Sequence, residues 1–266
     1  MSQPDHAPSD LHMPQACLTT HVLDLTTGQP AVGIGVDLYH CETGSARHLR
    51  HAQTNADGRL DRPLLSRDDP TVRPGRYRLD FDVKTPLFDG LPIVFHIENT
   101  AWHHHVPLVI APFGFSTYRG APPSHAPAHA NRPAQPRSGP AATGQAPPPG
   151  AGGAGVTIHA IDIAQGCGAA GLQVDLIGPE GQRINRQRTT AEGRTPRWLA
   201  PAGSLRPGQY RLIFHLGDYY RASGLPVGSN PFFPVAIVPF AIDDPERHYH
   251  IPLLAAPWGY SCYRGS

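Results

Sequence analysis

Charged residues are scarce in this sequence, and neither sign is in clear excess. They make up 16% of its 266 residues, and the formal net charge is +1. A surface that binds nucleic acid needs a marked excess of Lys and Arg, so this balance argues against such a surface. Long apolar runs are also missing, and the run from Pro234 to Phe240 is far shorter than the roughly 20 residues of a membrane-spanning helix.

Cysteine pairs and secretion signals are missing as well. The four cysteines form no CxxC pair, which argues against a disulfide framework and predicts a reducing, cytoplasmic compartment; they are Cys17, Cys41, Cys167 and Cys262. The first residues lack the basic start and apolar core of a secretory signal, so we expect residues 1–16 to be a disordered tail. No GxSxG elbow and no Gly-rich phosphate loop before a helix is present, so a serine nucleophile and a nucleotide site are poorly supported.

Glycine and proline are abundant, and the sequence repeats itself. With 28 Gly and 31 Pro residues, it favours β-structure joined by turns. Three segments of the first half return in the same order in the second half. LTTHVLD from Leu18 returns as VTIHAID from Val156, RPGRYRLDFDV from Arg73 as RPGQYRLIFHL from Arg206, and HHHVPLVIAPFGFSTYRGA from His103 as HYHIPLLAAPWGYSCYRGS from His248. This pattern indicates an internal duplication of one domain.

The two copies define the expected domains. We expect one domain at residues 17–121 (repeat one), a second at residues 155–266 (repeat two), and a Pro/Ala/Gly-rich linker at residues 122–154. The linker histidines, His125 and His129, are expected to be solvated rather than metal-bound. Repeat two is 12 residues longer between its second and third shared segments, and Gly and Pro around Asp218 to Asn230 predict a loop there.

Alternation of apolar and polar side chains predicts strands within each repeat. In repeat one the alternation is that of a half-buried antiparallel strand, with apolar positions at Tyr77, Leu79, Phe81 and Val83. Repeat two has the same apolar positions at Tyr210, Leu212, Phe214 and Leu216. Short strands separated by frequent turn signals predict a β-sandwich in each repeat, and residues 84–91 could add one helical turn.

Both repeats keep three kinds of polar residue that could do chemistry. The first is an early histidine among β-forming residues, His21 and His159. The second is an arginine that follows a tight turn, Arg59 and Arg194. The third is an HxH pair, His103 with His105 and His248 with His250. Residues two apart on a strand point to the same face, so the two histidines of each pair project together.

These residues allow three interpretations. Two imidazoles on one strand face and a third histidine would suit a zinc site, but no Cys, Asp or Glu stands at ligand spacing beside HxH in both repeats. Without a metal, one imidazole could take a proton from water while another donates one, and the arginine could hold an anionic substrate or an oxyanion. A hydrogen-bonded polar patch is the third interpretation. The metal-free acid–base interpretation is the one we favour.

The shared motifs resemble those of one family. LTTHVLD, TNADGR from Thr54 and the closing HYHIPLLAAPWGYSCYRGS resemble the 5-hydroxyisourate hydrolase family, the enzymatic relatives of transthyretin, over residues 17–121 and 155–266. The resemblance implies an all-β fold of two tandem transthyretin/prealbumin-like antiparallel β-sandwiches, each with one short helix. It implies hydrolysis of 5-hydroxyisourate to 2-oxo-4-hydroxy-4-carboxy-5-ureidoimidazoline in urate degradation, with no cofactor and no metal.

The resemblance also implies roles for individual residues and an assembly. The implied catalytic residues are His21, Arg59, His105, His159, Arg194 and His250. The implied substrate-binding residues are Arg59, Arg194, Tyr118, Tyr263 and Ser266. Family members are usually tetramers of single domains with active sites in clefts between subunits. A homodimer of tandem chains that forms a pseudo-tetramer is therefore implied, with 5-hydroxyisourate as partner and neither nucleic acid nor membrane.

Repeat one departs from the family pattern in three places. It has His104 where the motif has Tyr, Phe115 where repeat two has Tyr260, and Ala121 in place of the final serine. Its YRGA also runs on into the linker, so we expect repeat two at least to be active. The competing interpretations are a non-catalytic transthyretin-like protein that binds a small molecule and an adhesion-type sandwich, neither of which would need the shared histidines and arginines.

Overall fold

The computed structural model describes residues 16–120, 153–201, 203–225 and 227–265. Residues 1–15 of the expected N-terminal tail, nearly all of the expected linker and Ser266 therefore lie outside the described residues, as do His125 and His129. Within the described part, no helix is long and apolar enough to cross a lipid bilayer.

Repeat one consists of eleven strands. In chain order they are β1 (Ala16–Thr19), β2 (Val22–Asp24), β3 (Gln29–Pro30), β4 (Gly35–Glu42), β5 (Ser45–Gln53), β6 (Leu65–Ser66), β7 (Gly75–Lys84), β8 (Asp89–Ile97), β9 (His104–His105), β10 (Leu108–Ala111) and β11 (Gly114–Tyr118). One layer is the four-stranded sheet β5-β4-β7-β8, and β6-β1-β9 forms a short separate sheet.

Repeat two consists of nine strands and one helix. They are β12 (Gly155–Asp162), β13 (Cys167–Gly168), β14 (Gln173–Ile177), β15 (Arg183–Arg188), β16 (Ala200–Pro201), β17 (Gly208–Phe214), α1 (Leu216–Ser223), β18 (Ala236–Ile242), β19 (His248–Ala256) and β20 (Gly259–Tyr263). The sheet β15-β14-β17-β18 corresponds to the four-stranded sheet of repeat one.

The second layer of both repeats is one continuous sheet. Its strand order is β13-β12-β19-β20-β11-β10-β2-β3, with β16 also paired to β12, and we call it the joint sheet. The two repeats meet where β11 pairs antiparallel with β20, with Ser116 opposite Ser261 and each terminal tyrosine opposite a glycine of the other repeat. The hydroxyl of Ser261 donates to that of Ser116 at 3.0 Å, and this pair marks an approximate two-fold axis.

The predicted alternation is confirmed in the strands that carry the core. Tyr77, Leu79, Phe81 and Val83 in β7 are each at most 2% exposed, while the intervening polar residues reach solvent. These apolar side chains pack between the layers of their sandwich, and Tyr210, Leu212 and Phe214 do the same in β17. Removal of such surface from water is the main favourable contribution to folding.

Two sequence-based expectations about the β7–β8 region and its counterpart were wrong. Residues 84–91 of repeat one form no helical turn, because only four residues separate β7 from β8 and the hydroxyl of Thr85 accepts from the amides of Leu87 and Phe88 in a tight turn. Helix α1 of repeat two is the one helix among the described residues. It begins at Leu216, which we had expected in the strand, because the chain leaves the sheet at His215.

The longer segment of repeat two reaches across to repeat one. The loop predicted there is a helix followed by a loop, and the loop carries Phe232, which is 4% exposed. The carbonyl of Phe232 accepts from the amide of His96 at 2.8 Å, and its ring lies 5.8 Å from that of Phe95 and stacks on that of His104 at 6.3 Å. This aromatic contact and the β11–β20 pair join the two repeats.

Candidate active site

A glycine turn brings the arginine that both repeats share beside the early histidine. Gly58 has φ of 68°, and a Cβ there would lie 2.4 Å from the carbonyl oxygen of Val22, so only glycine fits without a shift. Arg59 follows at once and forms an isolated β-bridge with His21. Repeat two reproduces the turn with Gly193 and pairs His159 with Arg194. The shared sequences ADGR and AEGR thus have a structural reason.

The glycine at the end of each YRG motif packs against the second histidine of the HxH pair. The amide of Gly120 donates to the carbonyl of His105 at 2.8 Å, and a Cβ on Gly120 would lie 2.8 Å from the Cβ of His105. In repeat two the amide of Gly265 donates to the carbonyl of His250 at 2.9 Å. The glycine is needed because the chain must approach the imidazole this closely.

A threonine on the neighbouring strand holds both histidines of each pair. In repeat one the hydroxyl of Thr19 lies 2.8 Å from Nε2 of His103 and 2.9 Å from Nδ1 of His105. In repeat two the hydroxyl of Thr157 lies 2.6 Å from Nε2 of His248 and 2.9 Å from Nδ1 of His250. In both repeats the Nε2 of the inner histidine, His105 or His250, is left for another partner.

These groups surround a cavity in repeat one. Its volume is about 480 Å³, and the polar or close-approaching residues that line it include Thr19, Arg59, Arg62, His103, His105 and Gly120. Volumes of this order are typical of small-molecule sites. The arrangement brings together the early histidine, the turn arginine and the HxH pair that the sequence singled out.

The inner histidines are neutral at physiological pH. Burial lowers the pKa of His105 to about 4, and the charges of Arg59, His103 and His21 act in the same direction. Burial also lowers the pKa of His250 to about 4, with Arg194 as the next cause. A neutral imidazole has a free lone pair and can accept a proton.

The early histidines are also held in the neutral form. Burial first and the adjacent arginine second lower the pKa of His21 and of His159. Nε2 of His159 donates to the carbonyl of Glu192 at 3.0 Å, since a carbonyl can only accept, and this assigns the proton to Nε2. Nδ1 of His159 therefore carries a lone pair.

The terminal tyrosines lie on the outward face of the joint sheet and do not line the described cavity. Tyr118 and Tyr263 are 47% and 43% exposed. A Cβ on Gly259 would lie 3.0 Å from the Cβ of Tyr118, and one on Gly114 would lie 3.2 Å from that of Tyr263, so each tyrosine covers a glycine of the other repeat. Ser266, the other sequence-predicted binding residue, lies outside the described part of the chain.

The two candidate sites lie far apart in the molecule. His105 lies beside Gly120, and His250 lies beside Gly265. Because β11 and β20 are antiparallel, these two glycines lie at opposite ends of the strand pair. Strand spacing and rise per residue separate the two inner histidines by roughly 30 Å. Each repeat therefore supplies its own histidine–arginine set, and within the described residues the two sets do not share a side chain.

The described residues contain no group of three or more His, Cys, Asp or Glu side chains arranged to hold a metal ion. The nearest partner of each HxH pair is a threonine hydroxyl, as given above.

Sequence reasoning missed two further shared positions. Thr19 and Thr157 precede the early histidine by two residues, and Arg62 and Arg197 follow the turn arginine by three residues. Arg62 lines the cavity of repeat one. Position-by-position comparison of the two repeats would have found both pairs, because each copy keeps the same residue type at the same spacing.

Comparisons with known proteins agree with this architecture. The sequence profile of the HIUase/Transthyretin family matches residues 18–120 and 156–265. A 5-hydroxyisourate hydrolase of Caulobacter vibrioides is 43% identical over 115 residues, which cover 42% of this chain and 98% of that protein. Another from Pseudomonas aeruginosa is 39% identical over 114 residues, or 42% of this chain and 90% of that protein.

A solved structure is also similar to part of the chain. The 5-hydroxyisourate hydrolase of Klebsiella pneumoniae is 33% identical, with a TM-score of 0.36, and the match covers 42% of this chain and 99% of that chain. These relatives thus match less than half of this sequence with nearly their whole length. The family profile, by contrast, matches twice in succession. The chain therefore belongs to the HIUase/Transthyretin family and carries two copies of its domain.

Proposed function

We propose that this protein hydrolyses 5-hydroxyisourate to 2-oxo-4-hydroxy-4-carboxy-5-ureidoimidazoline, a step of urate degradation. The observation that carries the proposal is the cluster of two neutral histidines and one arginine that each repeat forms next to the end of its YRG motif. The relatives named above, 5-hydroxyisourate hydrolases at 39–43% identity, support it. A carrier protein would not need the histidine–arginine set twice.

The proposed mechanism uses the neutral inner histidine as a general base. In repeat one, Nε2 of His105 takes a proton from a water molecule, with His21 beside it. The water oxygen attacks the C6 carbonyl of the substrate, the C6–N1 bond breaks, and the proton goes to N1. General acid–base catalysis of this kind typically contributes about 100- to 10,000-fold.

The arginine of each repeat would supply the charge that the reaction needs. The guanidinium of Arg59 stays protonated at working pH, and it lines the cavity beside His105. It would hold the substrate oxygens and stabilise the negative charge that develops on the attacked carbonyl. Arg194 has the same position next to His159 in repeat two. We propose that Tyr118 and Tyr263, together with Ser266, close the two sites.

We also propose a domain organisation and a compartment. Residues 17–121 and 155–266 would be the two hydrolase domains, with residues 1–16 as a tail and 122–154 as a linker. The repeats supply two histidine–arginine sets, and repeat two, which carries the YRGS motif, is the repeat that we expect at least to be active. The four cysteines are free, which fits a reducing cytoplasm; they are Cys17, Cys41, Cys167 and Cys262.

Alanine variants of the inner histidines test the proposed function. We expect His105→Ala together with His250→Ala to abolish enzymatic decay of freshly generated 5-hydroxyisourate, because neither repeat then has its base. A stopped-flow absorbance assay measures this decay, and circular dichroism checks that the fold is intact. Each single variant reports the activity of the other repeat. Unchanged turnover in the double variant would refute the assignment of these bases.

A further inference from the structure

In both repeats one hydroxyl bridges the two rings of the HxH pair. The four contacts of Thr19 and Thr157 are between 2.6 and 2.9 Å, and each joins Nε2 of the outer histidine to Nδ1 of the inner one. The sequence separations are 84 to 93 residues, so the same bridge is built twice by tertiary structure. The reaction proposed above does not use this bridge.

A hydroxyl carries one proton, and this couples the two rings. If Thr19 donates to Nε2 of His103, then Nδ1–H of His105 must donate to Thr19. Nε2 of His105 then carries a lone pair and faces the cavity as a base. If the hydroxyl points the other way, Nε2 of His105 carries a proton and is an acid. The rings therefore exchange roles when protons shift along the bridge.

The surroundings of the inner ring oppose a cation there. His105 faces Arg59, His103 and His21, and its pKa is about 4 for the reasons given above. His103 faces Arg67, and burial also lowers its pKa. In repeat two the inner ring faces Arg194 and His159, whereas the outer ring, that of His248, is exposed and lies 5.2 Å from the ring of Trp198. Burial lowers the pKa of His248 too, but no charged neighbour adds to that effect, so a cation is less strongly opposed on this outer ring than on the inner ring.

We propose that Thr19 and Thr157 are proton relays that pass the proton taken from water by the inner histidine to the outer histidine. The proposal rests on the proposed function, and it assigns His103 and His248 as the final acceptors. In repeat one, the water O–H bond breaks and Nε2–H of His105 forms. Nδ1–H of His105 breaks and the hydroxyl of Thr19 gains that proton, while its own proton moves to Nε2 of His103. The positive charge thus forms on His103 and never on His105.

The relay explains how a base with so low a pKa can work at neutral pH. An inner ring that kept the proton would be an imidazolium in a site that holds its pKa near 4. With the bridge, that ring changes tautomer and stays neutral. The return of the proton to the leaving N1 runs along the same path in reverse. Thr19, Thr157 and the outer histidines act on the reacting water only through the inner ring. We therefore call them positioning residues.

Removal of both hydroxyls tests the relay. We expect Thr19→Val with Thr157→Val to lower kcat/KM for 5-hydroxyisourate about 100-fold, the lower range of general-base contributions. In mixtures of H2O and D2O, the rate of the unaltered protein should depend on the D2O fraction along a curve, because several protons move together. In the double valine variant this dependence should be linear, because only one proton then moves. Thr19→Ser with Thr157→Ser keeps the hydroxyls and should restore both the rate and the curvature.

A matched variant and a measurement without turnover complete the test. Thr117 is buried and its hydroxyl donates to the carbonyl of Pro107 at 2.9 Å, while repeat two has Cys262 at this position, so Thr117→Val should leave kcat/KM unchanged. In the resting protein, 15N spectra of the histidine rings should show one ring of each pair donating to the hydroxyl and the other accepting.

The outcomes separate the relay from the proposed function. Full activity with unchanged curvature in the double valine variant would overturn the relay and leave the hydrolase activity standing. If the unaltered chain does not accelerate the reaction, the proposed function fails and so does the relay as a part of it. Ring spectra in which both histidines donate to the hydroxyl would overturn the relay whatever the activity.

Discussion

At the scale of the residue, the chemistry depends on what surrounds the inner histidine. A free imidazole titrates near neutrality, but burial and three positive or protonatable neighbours hold the pKa of His105 near 4. A group whose pKa is lowered in the folded protein is fully neutral above about pH 6.5 and protonates as the pH falls through 4. Activity that needs the neutral base should therefore persist to mildly acidic pH and disappear below it.

The charge of Arg59 can be tested directly on this pKa. We expect Arg59→Gln to raise the pKa of His105, because the imidazolium then no longer meets a nearby guanidinium. Burial, the larger cause, remains, so the pKa should stay below its ordinary value. An NMR titration of the His105 ring measures it without substrate. Arg62→Gln removes a charge from the same cavity, and we expect a smaller change there. Equal shifts in both variants would contradict the role given to Arg59.

At the scale of the element, the longer segment of repeat two connects the halves of the molecule. Phe232 packs between Phe95 and His104 of repeat one and lies 6.3 Å from the ring of Trp258. The guanidinium of Arg119 lies 5.3 Å from the centre of the Phe232 ring. Repeat one has only a four-residue turn at the corresponding point, and the carbonyl of Leu87 in that turn accepts from the amide of Ala241 of repeat two at 3.0 Å.

Phe232→Ala should weaken this contact strongly. Truncation of a buried phenylalanine typically costs about 3–5 kcal/mol, and the cavity would open between the repeats. We expect a lower urea midpoint, measured by tryptophan fluorescence and circular dichroism. Phe113→Ala removes a ring that is 48% exposed, so its effect should stay within about 0.5 kcal/mol. Similar losses in the two variants would show that Phe232 has no special part in joining the repeats.

Strands could be predicted from the sequence where apolar and polar residues alternate strongly. The prediction was wrong where residues distant in the sequence determine the local structure. The side chains from Tyr77 to Val83 are alternately buried and exposed as expected, because successive side chains of a strand point to opposite faces. Leu216 continues the same pattern but begins a helix, since the chain leaves the sheet one residue earlier. The cluster of His21, Arg59 and His105 follows from a recognisable motif set. Comparison of the repeats would have found Thr19 and Thr157 as shared positions, but only tertiary structure shows that each hydroxyl contacts both rings of its HxH pair.

At the scale of the whole molecule, the strands of the joint sheet link the two candidate sites. In repeat two the outward face of this sheet carries His159, His248 and His250, and the exposed rings of Tyr118 and Tyr263 lie on the same sheet, whereas the HxH pair of repeat one lies at β9 of the short sheet. A pair of shallow sites on an exposed sheet would be poorly shielded from water, which weakens electrostatic stabilisation of the reaction. We therefore propose that the outward face is covered by the same face of a second chain.

Light scattering tests this assembly. We expect a particle of twice the chain mass, with two-fold symmetry, because like faces of identical chains meet in a closed dimer. Tyr118→Asp with Tyr263→Asp places four carboxylates in the contact and should give single chains with reduced activity. Phe113→Asp serves as the control, because it also introduces a carboxylate but does so in a turn and at neither tyrosine. A strictly monomeric wild-type chain with full activity would contradict the proposal.

The pairing of β11 with β20 has a consequence for how the protein behaves when it is scarce. Two edge strands on separate polypeptides separate on dilution, since their encounter is second order, whereas strands on one polypeptide meet at a fixed effective concentration. One chain thus already holds both histidine–arginine sets, at any expression level. In the proposed dimer, only the contact between outward faces would depend on mass action.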